Sequence, residues 1–438
     1  MGFNFPGGSK VKHQKHFTEG HAAQELPLPD RLVLHTTQHI GAPAKPVVAV
    51  GDTVKKGQII AQASAFVSVP VHAPTSGVVL EIAELPHPTQ GKGEAIVIKP
   101  DGLDEWLDGL PTNRQLDDMS IEEIRDAIRD GGMVGLGGAA FPTHVKASPP
   151  PDTIIEHLLI NGAECEPYLT SDDLVMRERS DDVVAGIRIL CKVTGAKHVS
   201  IGIEDNKPEA LAAMRQAVAD VENCEVKSLP SRCPQGAERS LIKAILGKWL
   251  PGGKLPMSIG VVVQNSTTCV AIADAVLKGI PLIQKLITVS GGSVVEPKNV
   301  LTPLGASWQD LLLFCGGVKD DLKRVIMGGP MMGIAQNNMD IPVVKATSGL
   351  LALSNDEAQR GEEGPCLRCG KCVTVCPMAL SPFQWPTFMR YRQYQEAKEE
   401  RLLDCVECGC CEYVCPANRR IIQSVKVLKQ QLRLQDKK

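Results

Sequence analysis

The chain has 438 residues, 43% hydrophobic and 22% charged, with 47 Lys plus Arg against 50 Asp plus Glu for a formal charge of −3. At roughly 100 to 200 residues per domain this length asks for several domains, and the balance excludes a mainly disordered chain and a general nucleic-acid binder. No run approaches the roughly 18 uninterrupted apolar residues of a membrane span, and the N-terminus lacks the apolar core of a signal peptide, so a peripheral or soluble protein on the cytoplasmic side is expected.

Residues 1–30, rich in His, Lys and Pro without a sustained period, read as an arm lying on a neighbour. Residues 31–100 are short β-type runs punctuated by turn signals. Their pieces V-x-x-GD-x-V-x-KGQ-x-IA and APTSG-x-V resemble the barrel-sandwich domain of biotinyl and lipoyl carriers. The stretch 63–71, where a carrier's modified Lys would stand, contains no Lys, which leaves a structural module. Residues 112–285 alternate helices and strands. Ser120 and Glu123 give a capping-box pattern at the start of a helix over 120–130. A glycine-rich loop at 131–146 follows, then strand-like and helical runs to residue 229, a spacing that predicts a mostly parallel, doubly wound α/β sheet. Residues 286–350 read as a small β-grasp-type module with a helix beginning near Ser307. A polar linker at 354–364 leads into the last domain, 360–438.

Of the 15 cysteines, nine fall between Cys366 and Cys415. Cys366, Cys369, Cys372 and Cys376-Pro377 follow C-x2-C-x2-C-x3-C-P, and Cys405, Cys408, Cys411 and Cys415-Pro416 repeat it. The x2 spacing wraps three thiolates around one face of a cubane, and the x3 step sends the fourth to the other cluster. One [4Fe-4S] cluster is therefore expected on Cys366, Cys369, Cys372 and Cys415, the other on Cys405, Cys408, Cys411 and Cys376. A pair of zinc sites is the competing use of eight thiols, but zinc motifs seldom carry them in this order. The expected architecture is a ferredoxin-like domain with a helix over 384–403, entered at Pro386, between the motifs. Cys410 reads as a spare thiol pointing away. Residues 419–433 place Arg419, Arg420, Lys426, Lys429 and Arg433 beside Ile421, Ile422, Val425, Leu428 and Leu432 at helical spacing. This basic amphipathic helix could pack on its own domain, a partner or a membrane surface.

Four loops carry small or polar residues suited to a nucleotide. Gly135, Gly137 and Gly138 would let backbone N–H groups approach a phosphate, with Lys146 adding charge. The segment from Asn161 through Glu164 and Glu166 ends a strand, where ligands sit in α/β sheets. Gly236 with Glu238, and Asn265 with Thr268, also follow strand-like runs. Each alone could be an ordinary loop. GLGGAAFPTHVK, NGAECEPYLTSDD, PQGAER, VVVQNSTT, GGPMMG and the paired cysteine motifs together resemble, in the same order, segments of the C subunit of the Rnf (also called Rsx) membrane electron-transport complex. The central part is more distantly similar to the flavin subunit of respiratory NADH dehydrogenase.

That resemblance implies a non-covalent FMN site formed by Gly135, Gly137, Gly138, Lys146, Asn161, Glu164, Asn265 and Thr268. It implies that Phe141, Glu166 and Glu238 face NAD(H), with the two carboxylates in the catalytic site. The implied partners are the membrane subunits of the complex and its ferredoxin-type iron-sulfur subunit, with this chain peripheral on the cytoplasmic face. Cys233 stands where the family usually has Tyr, and Ser266-Thr267 where it usually reads Val-Gly. FMN between NADH and the clusters matches a two-electron hydride to one-electron carriers. The implied activity is NADH oxidoreduction within an ion-translocating ferredoxin:NAD oxidoreductase complex. Competing readings are a diaphorase subunit of a soluble enzyme and a flavin-free iron-sulfur relay scaffold.

Overall fold

The computed structural model describes residues 4–150 and 152–435. Near the N-terminus, strands Leu32–His35, Gly91–Pro100, Gly77–His87 and Thr53–Val54 pair antiparallel in that order. Lys45–Pro46, Ile59–Gln62 and Val71–His72 form a second small sheet. Successive strand residues face opposite sides. Ile96 and Ile98 accordingly enter the main core, while Ala95 and Val97 pack with Val33 and Leu85.

The central sheet has four parallel strands in the order Cys224–Leu229, His198–Glu204, His157–Gly162, Val261–Asn265. Both faces are covered, as parallel sheets require. Leu158, Ile160 and Val262 face the helices Ser180–Thr194 and Ser266–Lys278. Leu159, Val261 and Val263 face Leu241, Ile242 and Ile245 of Glu238–Leu246. The first two helices approach closely because Gly186 lies against Cys269, where an added Cβ would stand 2.1 Å from the carbonyl oxygen. The expected capping box is present at Ser120 and Glu123, opening Ile121–Asp130.

A six-stranded mixed sheet follows, ordered Ala23–Glu25, Lys298–Pro303, Gln284–Ser290, Gly349–Ser354, Leu322–Met327, Ile334–Gln336. It extends past the limits read from sequence, and its edge strand comes from the N-terminal arm. The helix Trp308–Phe314 opens on Ser307, whose side chain accepts from Asp310 N. The arm also threads between the other domains. Gly8 N donates to Val375 O at 2.8 Å, Ser9 and Cys233 exchange backbone bonds at 2.8 and 2.9 Å, and Tyr168 N donates to His13 O at 2.8 Å.

The C-terminal domain repeats its backbone as well as its sequence. Arg368, Gly370 and Ala379 have φ of 52°, 74° and 51°, and Glu407, Gly409 and Asn418, each 39 positions later, have 56°, 77° and 50°. The segment between the motifs differs from expectation. It is two helices, Trp385–Arg390 and Tyr394–Glu399, because Arg392 takes a left-handed φ of 55° and breaks the run. The final helix, Ile421–Gln435, resolves the three options for its apolar stripe. Ile421, Val425, Leu428 and Leu432 pack with Met378, Leu380, Trp385, Ala397 and Leu402 of the same domain.

Leu428 is 0% exposed in that core, so Leu428→Ala should cost the C-terminal domain about 2 to 5 kcal/mol. The measurement is the unfolding midpoint of this domain in the full chain, alongside a vesicle-binding assay. An unchanged midpoint with lost vesicle binding would place the stripe outward.

Candidate functional site

The strand order of the central sheet reverses between His157–Gly162 and Val261–Asn265, where Asn161 and Asn265 are register partners at the carboxyl ends. A crevice at the carboxyl ends of parallel strands, beside such a switch point, is the usual ligand position of this fold. Here it holds a cavity of about 420 Å³. Gly135, Gly137, Gly138, Phe141, Lys146, Asn161, Glu238 and Asn265 all lie on its wall, together with Gly236 and apolar Leu255 and Met257.

Local structure explains several of these positions. Asn265 caps the helix Ser266–Lys278 by accepting from Thr268 N at 3.1 Å and donates to Asp172 Oδ2 at 2.8 Å. Gly137 passes so close to this amide that a Cβ would stand 2.7 Å from Asn265 Nδ2. Asn161 Nδ2 donates to Gly236 O at 2.8 Å and so fixes the 233–238 loop. Lys146 Nζ reaches Glu238 Oε1 and Val263 O, both at 3.2 Å, an ion pair on the cavity wall. A backbone-lined glycine loop, a cation, a helix N-terminus and an apolar flank fit a flavin mononucleotide by donor chemistry and size.

Three residues assigned to this site from sequence do not line the cavity. Thr268 is buried, and its Oγ1 accepts from Leu136 N at 2.9 Å, so it holds the glycine loop from behind. Glu164 accepts from Asp172 N at 2.7 Å and pairs with Lys15 of the arm at 3.7 Å. Burial pushes its carboxyl upward and lowers Lys15, against the attraction between them. Glu166 accepts from Met331 N at 3.0 Å and Met332 N at 2.8 Å, with burial raising it to about 7. Both of its oxygens are engaged by the 328–333 loop of the mixed sheet, which makes Glu166 a latch between domains.

The eight motif thiols fall into two groups of four. Cys366, Cys369, Cys372 and Cys415 line a cavity of about 160 Å³. Cys376, Cys405, Cys408 and Cys411 line a second. In each, the fourth thiol comes from the other motif, and four thiols per cavity fit the donor set of a cubane. Among the described residues, no three His, Cys, Asp or Glu side chains converge as on a single metal ion. The first group is at the surface, with Cys366 and Cys369 exposed, whereas Cys408 and Cys411 are buried. Carboxylates by the second group are matched: Glu407 pairs with Lys429 at 2.8 Å, and Glu412 pairs with Arg360 at 2.5 Å.

Cys410 is buried at the boundary with the central domain. Its Sγ donates to Cys233 O at 3.2 Å, and Cys233 Sγ donates to Cys408 O at 3.6 Å. The spare thiol therefore meets the Cys that departs from the usual Tyr. Gly236 of the same loop lines the larger cavity, so one loop touches both that cavity and the buried thiol group. Sequence reasoning missed Leu255 and Met257, at and in the short 3-10 helix Pro256–Ile259, a Pro- and Gly-containing stretch with no motif.

Family models match along the chain in order. They are the RnfC barrel sandwich hybrid domain at residues 3–103, the Nuo51 FMN-binding domain at 128–274, the SLBB domain at 286–335 and a 4Fe-4S dicluster domain at 365–419. The chain is 49% identical to the C subunit of the proton-translocating ferredoxin:NAD(+) oxidoreductase complex of Clostridium ljungdahlii, over 98% of this chain and 94% of that protein. It is 40% identical to the C subunit of the Na(+)-translocating complex of Acetobacterium woodii, over 99% and 98%. An NAD+-reducing [NiFe]-hydrogenase chain shares the fold at a TM-score of 0.51 and 18% identity, covering 75% of this chain and 66% of that one. The chain belongs to the RnfC family, the C subunits of ion-translocating ferredoxin:NAD(+) oxidoreductase complexes.

Proposed function

We propose that this chain is the NADH-reactive, FMN- and iron-sulfur-containing subunit of a membrane-bound, ion-translocating complex linking NAD(H) with ferredoxin. The observation that carries the reading is that the 233–236 loop touches both the glycine-loop cavity and the buried four-thiol group, with the exposed four-thiol group in the same C-terminal domain. Bound FMN supplies the exchange between a two-electron hydride and one-electron clusters. The chain's residues do the rest. Gly135, Gly137 and Gly138 present backbone to the phosphate, and Lys146, Asn161 and Asn265 fix the flavin's place. Phe141 and Glu238, on the same wall, meet the nicotinamide nucleotide. Glu164, Glu166 and Thr268 hold the loops that carry these groups.

The cavity and the FMN-binding family match favour this over a flavin-free relay, and near full-length likeness to C subunits favours it over a soluble diaphorase. Among the described residues no helix is long and apolar enough to cross a membrane. Likeness to C subunits of ion-translocating complexes supports docking on the membrane subunits and the ferredoxin-type subunit, at the cytoplasmic face.

Anaerobically purified protein should contain about eight iron and eight sulfide per chain, with one acid-releasable flavin. Iron without flavin would leave only the relay reading. Because the fourth thiol crosses over, Cys376→Ala should remove the EPR signal of the cluster on Cys405, Cys408 and Cys411 and spare the other. Loss confined to the cluster on Cys366, Cys369 and Cys372 would reverse the assignment. Glu238→Gln should slow reduction by NADH on the order of tenfold, the loss of one modest contact, with FMN retained through purification. A flavin-free Glu238→Gln protein would move this carboxylate to the flavin.

A further inference from the structure

Two lysines of the mixed-sheet domain lie inside the protein with no acidic partner. Lys285, 4% exposed, donates from Nζ to Leu136 O at 3.1 Å and Lys345 O at 2.8 Å. Lys345, 0% exposed, donates to Pro70 O at 2.9 Å and Gly132 O at 2.8 Å. Among the described residues neither has a carboxylate within 4.0 Å. The charged group facing Lys285 is Asp172, beyond ion-pair distance. Facing Lys345 are His72 and His39, which burial and the lysine's own charge hold down at about 3 and about 4, so both are neutral.

Of the four carbonyls these amines reach, one is Lys345 O of the mixed-sheet domain itself and the other three lie together. Gly132 and Leu136 belong to the glycine-rich loop, and Pro70 belongs to the barrel-sandwich tip beside it. Leu136 is gripped at both ends, its N–H by Thr268 Oγ1 and its C=O by Lys285. The backbone of Gly135, Gly137 and Gly138 lines the cavity on the other side. Two amines thus brace the back of a loop whose front is built to receive a phosphate.

A buried cation without a counter-charge is costly, and such a lysine sheds its proton instead. Desolvation lowers both amines to about 7. Asp172, beyond ion-pair distance, compensates Lys285 only in part, and no acidic group faces Lys345 to compensate its charge. A phosphate dianion on the front of the loop would do so, because attraction across a water-poor interior is weakly screened. Resting on the FMN reading of the cavity, we propose that Lys285 and Lys345 are positioning residues that select a phosphorylated flavin over riboflavin by taking up protons when the phosphate binds.

Above about pH 7 the free protein holds these amines neutral, so phosphate binding draws protons in, and FMN affinity falls as pH rises. Riboflavin affinity stays flat. Histidines held near 3 to 4 take no part at pH 8.

The test is calorimetric titration of the full-length, cluster-loaded, flavin-stripped protein with FMN and with riboflavin. It is run at pH 8 in two buffers of different ionisation enthalpy. FMN should bind with net proton uptake and riboflavin without it. Lys285→Met should cut the preference for FMN about tenfold, a difference of about 1.4 kcal/mol. Lys285→Arg, whose charge is permanent, should keep the preference while reducing the uptake. Cluster content and unfolding midpoint report whether each variant is folded. If Lys285→Met does not fold, uptake by the unaltered protein and by Lys285→Arg decides. FMN binding with no proton uptake, or with the same uptake after Lys285→Arg, overturns the proposal. Failure of FMN to bind the unaltered protein overturns the FMN reading instead.

Discussion

The contact between the 233–236 loop and the buried thiol group is the constraint around which the other domains are arranged. A flavin and a cubane exchange electrons only over short distances, so the two sites must be held together within one rigid body. Here the separation is one loop, closed by paired thiol-to-carbonyl bonds between Cys233 and the Cys408–Cys410 turn. Gly409 passes so close to Met331 that a Cβ would stand 2.8 Å from its carbonyl oxygen. Any side chain there would push the buried cysteines away from the 328–333 loop of the mixed sheet.

The rest of the chain reinforces that contact from several sides. The N-terminal arm bonds both to Val375 in the first cysteine motif and to Cys233 on the flavin side. Farther along it inserts Lys15 beneath the 164–169 loop, where Nζ donates to the carbonyls of Glu164 at 3.0 Å and Glu166 at 3.2 Å. Glu166 in turn ties that loop to Met331 and Met332. The mixed sheet reaches back with Lys285 and Lys345 to the glycine loop. Buried polar groups are expensive unless satisfied, and in this protein they sit where domains meet.

Much of this could be read in the sequence, for physical reasons that differ by site. Thiol spacing sets cluster geometry directly, so the grouping of eight cysteines followed from order alone. The two asparagines were legible because ligands in such sheets gather at strand ends, and the glycine loop because its glycines leave backbone N–H groups open to a phosphate. Glu164, Glu166 and Thr268 stand in the same motifs but turn inward, and a motif does not say which way a side chain points. Free N–H groups in the Gly- and Pro-rich 328–333 loop were the one signal that could have found the partner of Glu166. The break at Arg392 had no Gly or Pro to mark it. Lys285 and Lys345 were invisible for the opposite reason: a lysine in a strand or loop reads as a solvent-facing residue, and only the fold shows both amines enclosed.

The exposed and buried thiol groups also differ in what surrounds them. Arg368 and Lys371 line the outer cavity, while the carboxylates near the inner one are matched by Lys429 and Arg360. On the proposed function, electrons from NADH would reach the inner group first and leave by the outer one. The most direct test of this arrangement is rapid freeze-quench EPR of the full chain mixed anaerobically with NADH. The arrangement predicts that the cluster on Cys376, Cys405, Cys408 and Cys411 is reduced before the one on Cys366, Cys369, Cys372 and Cys415, and that neither is reduced by NADH in flavin-stripped protein. Reduction of the outer cluster first, or of either cluster without flavin, would contradict it.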